Sequence, residues 1–223
     1  MSLYNAQKEQ NLTRFRSEST SLKNHALSSV DQNQFPTTFF SETAKPVLPQ
    51  VTPDSDIDWA KFEDFSWIRC SGKGNFLSSP NVKACAEHCL AHGARCIVVD
   101  LSTCSGMDST FMGMLAGLAM RITKQTGGGR LEIADSGEKN LASLEDLGLD
   151  AFMEINPSGA LWNSCKDEIR SKLDPWKKEP TPPHERGKLV LEAHKTLSAT
   201  SAANAKKFEN VVNLLEKEIK PDV

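Results

Sequence analysis

Two consecutive segments in the middle of the chain are apolar on nearly every side, and they restrict the folds open to it. Residues 96–101, CIVVDL, form a short apolar run typical of a strand that is covered on both faces. Residues 108–125 open with a polar turn and continue as a segment that is apolar almost all round at helical spacing. A helix of that composition lies deep against a sheet, so the pair predicts a buried strand followed by a buried helix.

The flanking patterns extend this pair into an alternating series of strands and helices. Alternation of apolar and polar residues indicates three further strands, over 65–70, 130–134 and 152–155. Apolar stripes indicate three further helices, from Ser78 to Gly93, Gly137 to Leu147 and Asn163 to Leu173. Such alternation predicts an α/β layer with substantially parallel pairing. Right-handed crossovers would place the turn at Asp108 on the carboxyl edge of the sheet.

Composition divides the chain into four parts. Residues 1–55 are rich in Ser, Thr, Gln and Asn and keep no strand or helix period, which predicts a disordered polar tail. Residues 56–173 hold the predicted strands and helices, and residues 174–187 form a proline-rich, charged linker. Residues 188–223 predict one long amphipathic helix. The pattern leaves open whether this helix docks on its own domain, on a partner, or on a second copy of itself.

Charge and hydropathy argue against several classes of partner. The net charge of −3 offers no electrostatic basis for binding nucleic acid or an anionic membrane. No apolar run approaches the roughly 18 residues that a membrane span needs. The first residues also lack the apolar stretch of a secretory signal. We therefore expect a cytoplasmic protein without membrane insertion.

Residue types that often carry catalysis or bind metals are present, but their spacing does not favour such a site. Cys85 and Cys89 lie four apart on one helix face, yet no second close-spaced pair accompanies them. Four carboxylates could converge at the carboxyl edge, although helix caps and loop polarity explain each one separately: Asp100, Asp108, Asp135 and Glu138. The stretch TGGGR at 126–130 follows a helix and precedes a strand, the reverse of a phosphate-binding loop. We expect no enzyme activity, cofactor or metal.

The two hydroxyl residues at the N-terminus of the buried helix, Ser109 and Thr110, have two interpretations. Asp108 is a good N-cap residue, able to accept hydrogen bonds from the amides of residues 110 or 111. Ser109 would then occupy the first helical position, with its hydroxyl free and facing solvent. A phosphate there would lie at the positive end of the helix dipole and add about −1.5 to −2 charges beside Asp108. The residues fit both a plain helix cap and a phosphoacceptor.

The segment CIVVDLSTCSGMDSTFMGMLAGLAMRI resembles the STAS domain of bacterial anti-sigma factor antagonists, in which an apolar strand is followed by Asp-Ser-Ser/Thr opening an apolar helix. Three further stretches match the family in order: FSWIRCSGKGNF, GGGRLEIADSGEKN and LEDLGLDAFMEI. Together they cover about residues 57–173, and LEAHKTL…NAKKFENVVNLLEKEI resembles an extension carried by some members. The resemblance implies a mixed sheet of about four strands with helices on one side, plus a C-terminal helical extension.

The resemblance also implies a function. It indicates a non-enzymatic regulator of transcription that binds an anti-sigma factor acting as a serine kinase, with a phosphatase as a further partner. By match, Ser109 is the phosphoacceptor and Thr110 the alternate. The implied partner-binding residues are Asp108, Thr110, Phe111, Asn75, Phe76, Ser136 and Gly137.

The chain departs from the family pattern at two places. Phe111 replaces the usual glycine after the hydroxyl pair, and Asn75 and Phe76 stand where an acidic residue is common. The alternative function is a STAS module that serves as a structural or assembly subunit of a transport or signalling complex, without phosphorylation. In that case the 109–110 pair is only a helix cap.

Overall fold

The structure, a computed structural model, describes residues 55–219. Of these, residues 55–160 and 165–219 belong to one compact unit, whose architecture follows. The polar tail predicted over residues 1–55 lies outside the described residues, apart from Ser55.

Seven strands form one mixed sheet within the described residues. They are β1 (Ser55–Lys61), β2 (Ser66–Gly74), β3 (Cys96–Asp100), β4 (Cys104–Met107), β5 (Arg130–Ala134), β6 (Glu154–Ile155) and β7 (Asp174–Pro175). The order is β6-β5-β3-β2-β1-β7, and β4 also pairs with β2. The strands β2, β3, β5 and β6 are parallel as predicted, whereas β1 pairs antiparallel with both β2 and β7.

The sheet therefore has more strands than the four expected. The strand β1 has the sequence SDIDWAK, and β4 has the sequence CSGM. Neither shows a clear apolar pattern, and β7 is only two residues long. These segments are strands because a neighbouring edge offers them backbone hydrogen bonds, which local composition does not reveal.

Six α-helices accompany the sheet in this part of the chain. They are α1 (Ser79–Ala91), α2 (Ser109–Thr123), α3 (Gly137–Asp146), α4 (Lys166–Arg170), α5 (Pro183–Thr200) and α6 (Ala202–Ile219). A short 3₁₀ turn at Leu149–Ala151 follows α3. None of the described helices combines the length and apolar composition needed to cross a bilayer.

The single helix predicted over residues 188–223 is instead two helices. Ser201 has an extended backbone with φ −161° and ψ 161°, which ends α5. Its Oγ then accepts a hydrogen bond from the amide of Asn204 at 3.1 Å, so Ser201 acts as the N-cap of α6. The chain reverses at this point, and α5 and α6 pack against each other as a hairpin. The first turn of α5 also lies within the predicted linker over 174–187.

The main hydrophobic core lies between one face of the sheet and the helices α1, α2 and α3. Ile97 and Val99 of β3 face this core and are fully buried. The alternate residues of β3, Val98 and Asp100, point to the opposite face, as the period of a strand requires. On that face Asp100 accepts hydrogen bonds from Arg170 of α4 at 2.8 and 3.0 Å. Most helices thus cover one face, as expected, while α4 contributes to the other.

The C-terminal hairpin docks on its own domain. The helix α5 packs along α2, and at their closest approach a Cβ added at Gly113 would overlap the carbonyl oxygen of Ala193. At the other end of the hairpin, Asn204 Nδ2 donates to the carbonyl oxygen of Leu147 at 2.9 Å. Of the three arrangements that the sequence left open, the structure therefore shows docking on the domain itself.

Candidate functional site

The turn between β4 and α2 is anchored beside the end of β2. The strand β4 continues along β2 with Met107 opposite Gly74. Immediately after this pair, the amide of Asp108 donates to the carbonyl oxygen of Gly74 at 2.9 Å. The parallel pairing thus brings the first turn of α2 next to the loop between β2 and α1, at the carboxyl edge of β2, as the sequence predicts.

Asp108 uses its two carboxylate oxygens for two different amides. Oδ1 accepts from the amide of Phe111 at 2.8 Å, which confirms the predicted N-cap. Oδ2 accepts from the amide of Phe76 at 3.0 Å, a contact that local pattern does not reveal. The half-buried carboxylate therefore caps α2 and also fixes the loop that follows β2.

The hydroxyl of Ser109 is half-buried and paired, in contrast to the prediction that it is free and faces solvent. Its Oγ lies 2.9 Å from Nε2 of His194, a residue of α5 that is only 6% exposed. The hairpin brings this histidine to α2, and a lone histidine on an amphipathic helix carries no pattern that identifies it beforehand.

The second nitrogen of the ring determines which atom donates to which. His194 Nδ1 lies 2.8 Å from the carbonyl oxygen of Val190, and because a carbonyl can only accept, Nδ1 carries a hydrogen. In the neutral ring Nε2 is then an acceptor, and the Ser109 hydroxyl donates to it. The ring also packs edge-on against Phe208 of α6, with centroids 5.6 Å apart. Both helices of the hairpin therefore hold the acceptor of the Ser109 hydroxyl in place.

Thr110 and Phe111 do not lie on the surface. Thr110, the alternate phosphoacceptor, is 4% exposed, and the Phe111 side chain is fully buried. The Phe111 ring lies against Gly74, where an added Cβ would come within 2.9 Å of the ring. The phenylalanine that replaces the usual glycine thus lies inside the core, and its side chain does not contribute to the predicted partner-binding surface.

The loop after β2 presents two large apolar side chains beside Asp108. Phe76 and Leu77 are 45% and 47% exposed. Asn75 is half-buried, and its Oδ1 accepts from the amides of Leu77 and Ser78 at 2.9 and 3.1 Å, which shapes the turn. The sequence prediction named Asn75 and Phe76 but missed Leu77. We refer to Asn75, Phe76, Leu77, Asp108 and Ser109 as the Ser109 edge.

In the loop after β5, Ser136 stabilises the fold and is not available to contact a partner. Ser136 is 1% exposed and exchanges two hydrogen bonds with the side chain of Asn156, at 2.9 and 3.1 Å. Gly137 is exposed and has φ 66°, a conformation that glycine adopts without strain. Asn140 Nδ2 donates to the carbonyl oxygen of Cys104 at 2.9 Å, which holds the start of α3 against β4. Of the two predicted residues, only Gly137 is accessible.

Three of the four acidic residues considered as metal ligands have other partners, while Glu138 is exposed in the first turn of α3. Asp108 caps α2, while Asp100 and Asp135 both bind Arg170, Asp135 at 2.6 Å. Lys166 adds a second cation to Asp135 at 2.7 Å. Across residues 55–219, no group of three or more His, Cys, Asp or Glu side chains is placed to hold a metal ion. These three carboxylates therefore serve caps and ion pairs.

Comparison with known proteins gives one family match, over part of the chain. Residues 56–161 match the family model of the STAS domain. No curated protein matches the chain in sequence.

The solved structures that are similar to the chain include three of low identity. The NMR structure of the protein TM1081 is 18% identical over 66% of this chain and 100% of that one, with a TM-score of 0.42. An anti-sigma factor antagonist from Mycobacterium paratuberculosis is 19% identical over 53% of this chain and 97% of its own, with a TM-score of 0.42. The anti-sigma factor antagonist SpoIIAA in its unphosphorylated form is 18% identical over 53% and 99%, with a TM-score of 0.41.

Proposed function

We propose that this chain, whose residues 56–161 match the STAS domain, is an anti-sigma factor antagonist switched by phosphorylation of Ser109. In this role it is a non-enzymatic, cytoplasmic regulator of transcription that sequesters an anti-sigma factor with serine kinase activity. A phosphatase restores its binding activity by removing the phosphate from Ser109. The observation that carries the proposal is the position of Ser109. It is the first residue of α2, directly after the capping Asp108 and next to an exposed apolar loop.

The local electrostatics support a switch at this position. Phosphorylation would add about −1.5 to −2 charges one residue from the Asp108 carboxylate, whose two oxygens are already occupied by amides. The N-terminus of the 15-residue α2 would tolerate that charge within the chain. A partner that also presents negative charge at this edge would be repelled.

The apolar part of the Ser109 edge supports protein binding. Phe76 and Leu77 are the large exposed apolar residues next to the phosphoacceptor, and a docked partner would remove both from water. A phosphate beside them would draw water to the same surface. Modification of Ser109 is therefore expected to weaken the apolar contact as well as the electrostatic one.

The phosphoacceptor is tested by incubating the protein with ATP and a cognate kinase from the same genome, followed by mass spectrometry. We expect one phosphate on the wild type and none on Ser109→Ala. The control is Ser105→Ala, which removes an exposed serine of β4 near the same turn and should be phosphorylated like the wild type. If Ser109→Ala accepts phosphate as well as the wild type does, the site is misassigned.

The switch is tested by calorimetry of the kinase with two variants. Ser109→Ala and Ser109→Asp both remove the hydroxyl, so a difference in affinity between them reports the negative charge. We expect Ser109→Asp to bind about tenfold or more weakly, equivalent to about 1.4 kcal/mol, and Ser109→Ala to bind like the wild type. Equal affinities would eliminate the switch and favour the structural or assembly subunit instead.

A further inference from the structure

We infer that the hairpin of α5 and α6, which docks along α2 and contacts the Ser109 edge through Ser109, is released by a phosphate on Ser109. The inference rests on the proposed function for the phosphorylation of Ser109. The docking of the hairpin rests on the structure alone, through α5 packed along α2 from the first turn of that helix.

Beside buried apolar side chains such as Leu197, three contacts hold α5 against α2 and its neighbour α1. The first is the hydrogen bond of 2.9 Å between Ser109 and His194. The second is the backbone contact between Gly113 and Ala193, one turn further along α2. The third is an exposed ion pair of 2.7 Å between Lys83 of α1 and Glu192, which contributes little on its own. The only one of these contacts that phosphorylation alters directly is the first.

Phosphorylation removes the donor of that hydrogen bond. Transfer of the γ-phosphoryl group of ATP forms an Oγ–P bond and breaks the bond from the γ-phosphorus to the oxygen that leaves with ADP, while the hydroxyl proton passes to solvent. The modified Oγ of Ser109 has no hydrogen to donate, so His194 Nε2 loses its partner. A buried acceptor without a partner is unfavourable.

The space around the ring does not accommodate the added group. His194 is 6% exposed, its Nδ1 is bound to Val190, and its ring packs against Phe208. A phosphate on Ser109 needs water or cations around three oxygens, and burying it against this ring is unfavourable. The backbones of α5 and α2 also cannot move closer together, because Gly113 and Ala193 are already in contact. The phosphate therefore favours a state in which α5 has moved away.

Release of the hairpin as one body also breaks the hydrogen bond of Asn204 to the carbonyl of Leu147 and uncovers Leu197 and Phe208 of the core. Asn204 Nδ2 donates to Thr200 Oγ1 at 2.7 Å, and Phe208 packs on His194, so the two helices remain joined when α5 leaves α2.

Residues 176–182 before the hairpin form neither helix nor strand and include two prolines, Pro180 and Pro182. Lys178 and Glu179 hold the first part of this segment on the domain, through Asp56 at 2.7 Å and Asn81 at 3.0 Å, so movement of the hairpin would begin after residue 179.

Linkage makes the coupling reciprocal. If phosphate on Ser109 favours release of the hairpin, then a docked hairpin must disfavour phosphorylation to the same extent. The docked state keeps the Ser109 hydroxyl half-buried and directed at His194 rather than at a kinase. Linkage concerns the equilibrium, but because docking also makes the hydroxyl less accessible, loosening the hairpin should increase the rate at which Ser109 is modified.

The first test needs no kinase. Phosphoserine is installed at position 109 of the full chain during translation, and hydrogen exchange of the α5 amides is compared with the unmodified protein. The matched control carries phosphoserine at position 105, which is exposed in β4. We expect about tenfold or faster exchange in α5 and α6 for the first protein and no change for the control. Unchanged exchange would overturn the inference, and so would slower exchange, which would show that the phosphate holds the hairpin in place.

The second test separates the inference from the proposed function with two glycine variants of α2. A Cβ at Gly113 overlaps the Ala193 carbonyl, whereas a Cβ at Gly117 meets only the side chain of Thr196, at 3.8 Å. We expect Gly113→Ala to show faster α5 exchange and faster phosphorylation, with unchanged exchange in the sheet, and Gly117→Ala to resemble the wild type. If Gly113→Ala exchanges faster but is phosphorylated at the wild-type rate, the coupling is refuted while Ser109 remains the phosphoacceptor.

Discussion

At the scale of single residues, the site depends on side chains whose partners are distant in sequence. The carboxylate of Asp108 joins the first turn of α2 to the amide of Phe76, 32 positions earlier. The hydroxyl of Ser109 meets His194, 85 positions later. The capping role of Asp108 follows from local sequence because the amide it caps is three residues away. The other two contacts depend on how the sheet and the hairpin are assembled.

We expect Asp108→Ala to destabilise the protein by about 1–2 kcal/mol, because the N-terminus of α2 loses its cap. Asp108→Asn keeps one side-chain oxygen and should cost less, since asparagine is also a good N-cap residue. Urea denaturation of both variants measures the difference. A stability of Asp108→Ala equal to that of the wild type would show that the two hydrogen bonds contribute nothing measurable.

At the scale of secondary-structure elements, two features define the C-terminal extension. The helix is interrupted at Ser201, and the side chain of Asn204 binds the rest of the domain. The break at Ser201 has neither glycine nor proline, and an amphipathic stripe continues through it, so the sequence favoured one uninterrupted helix. The anchor is Asn204, a 3% exposed residue in the first turn of α6. Its side chain reaches the carbonyl of Leu147, just after α3, at 2.9 Å. Buried polar groups inside an amphipathic stripe are the sign that such a helix has a specific docking site.

We expect Asn204→Ala to destabilise the hairpin by about 1–3 kcal/mol, because the carbonyl of Leu147 loses its donor in a buried position. Hydrogen exchange of the α6 amides should rise, and urea denaturation measures the total cost. Asn213→Ala is the matched control, since Asn213 is exposed on the same helix and should change stability by less than about 0.5 kcal/mol. Equal effects of the two substitutions would refute the anchoring role.

At the scale of the whole compact unit, a charged network ties distant parts of the chain together on the second face of the sheet. Arg170 of α4 binds both Asp100, at the end of β3, and Asp135, after β5. Asp100 is fully buried and also accepts a hydrogen bond from Trp67 at 3.2 Å. The hydrogen bond from Arg170 to Asp100 raises the pKa of the Arg170 guanidinium, because it outweighs the opposing effect of burial. The network fixes α4 against the carboxyl ends of two parallel strands.

The same network predicts a dependence of stability on pH. Burial raises the pKa of the Asp135 carboxyl, but hydrogen bonds from Lys166 and Arg170 outweigh it and lower the pKa below the usual 3.8. A lowered pKa in the folded state gives a stabilisation that is complete above pH 3.8 and is lost as the pH falls through the folded-state value. The contribution should be on the order of 1 kcal/mol, because solvent screens the partly exposed carboxylate.

We therefore expect Asp135→Asn to be less stable than the wild type at pH 7 and pH 5, and the gap to shrink as the pH falls below about 3.8. Asparagine tolerates the positive φ of 49° at this position, so the backbone is preserved. Urea denaturation at several pH values measures the gap, and Asp64→Asn, at an exposed position, is the control. A gap that stays constant into acid would show that the ion pairs of Asp135 do not stabilise the fold.

The sequence by itself determined the alternating strands and helices between residues 65 and 173 other than β4, the N-cap at Asp108 and the position of Ser109 at the start of a buried helix. Each of these depends on contacts between residues a few positions apart, which periodicity and capping preferences record directly. Only the tertiary structure decided that Phe111 is buried under Gly74, that the terminal segment folds back as a hairpin, and that His194 accepts the Ser109 hydroxyl. Those outcomes depend on pairs of residues that come together through packing, and no local pattern specifies which distant side chain fills a given position.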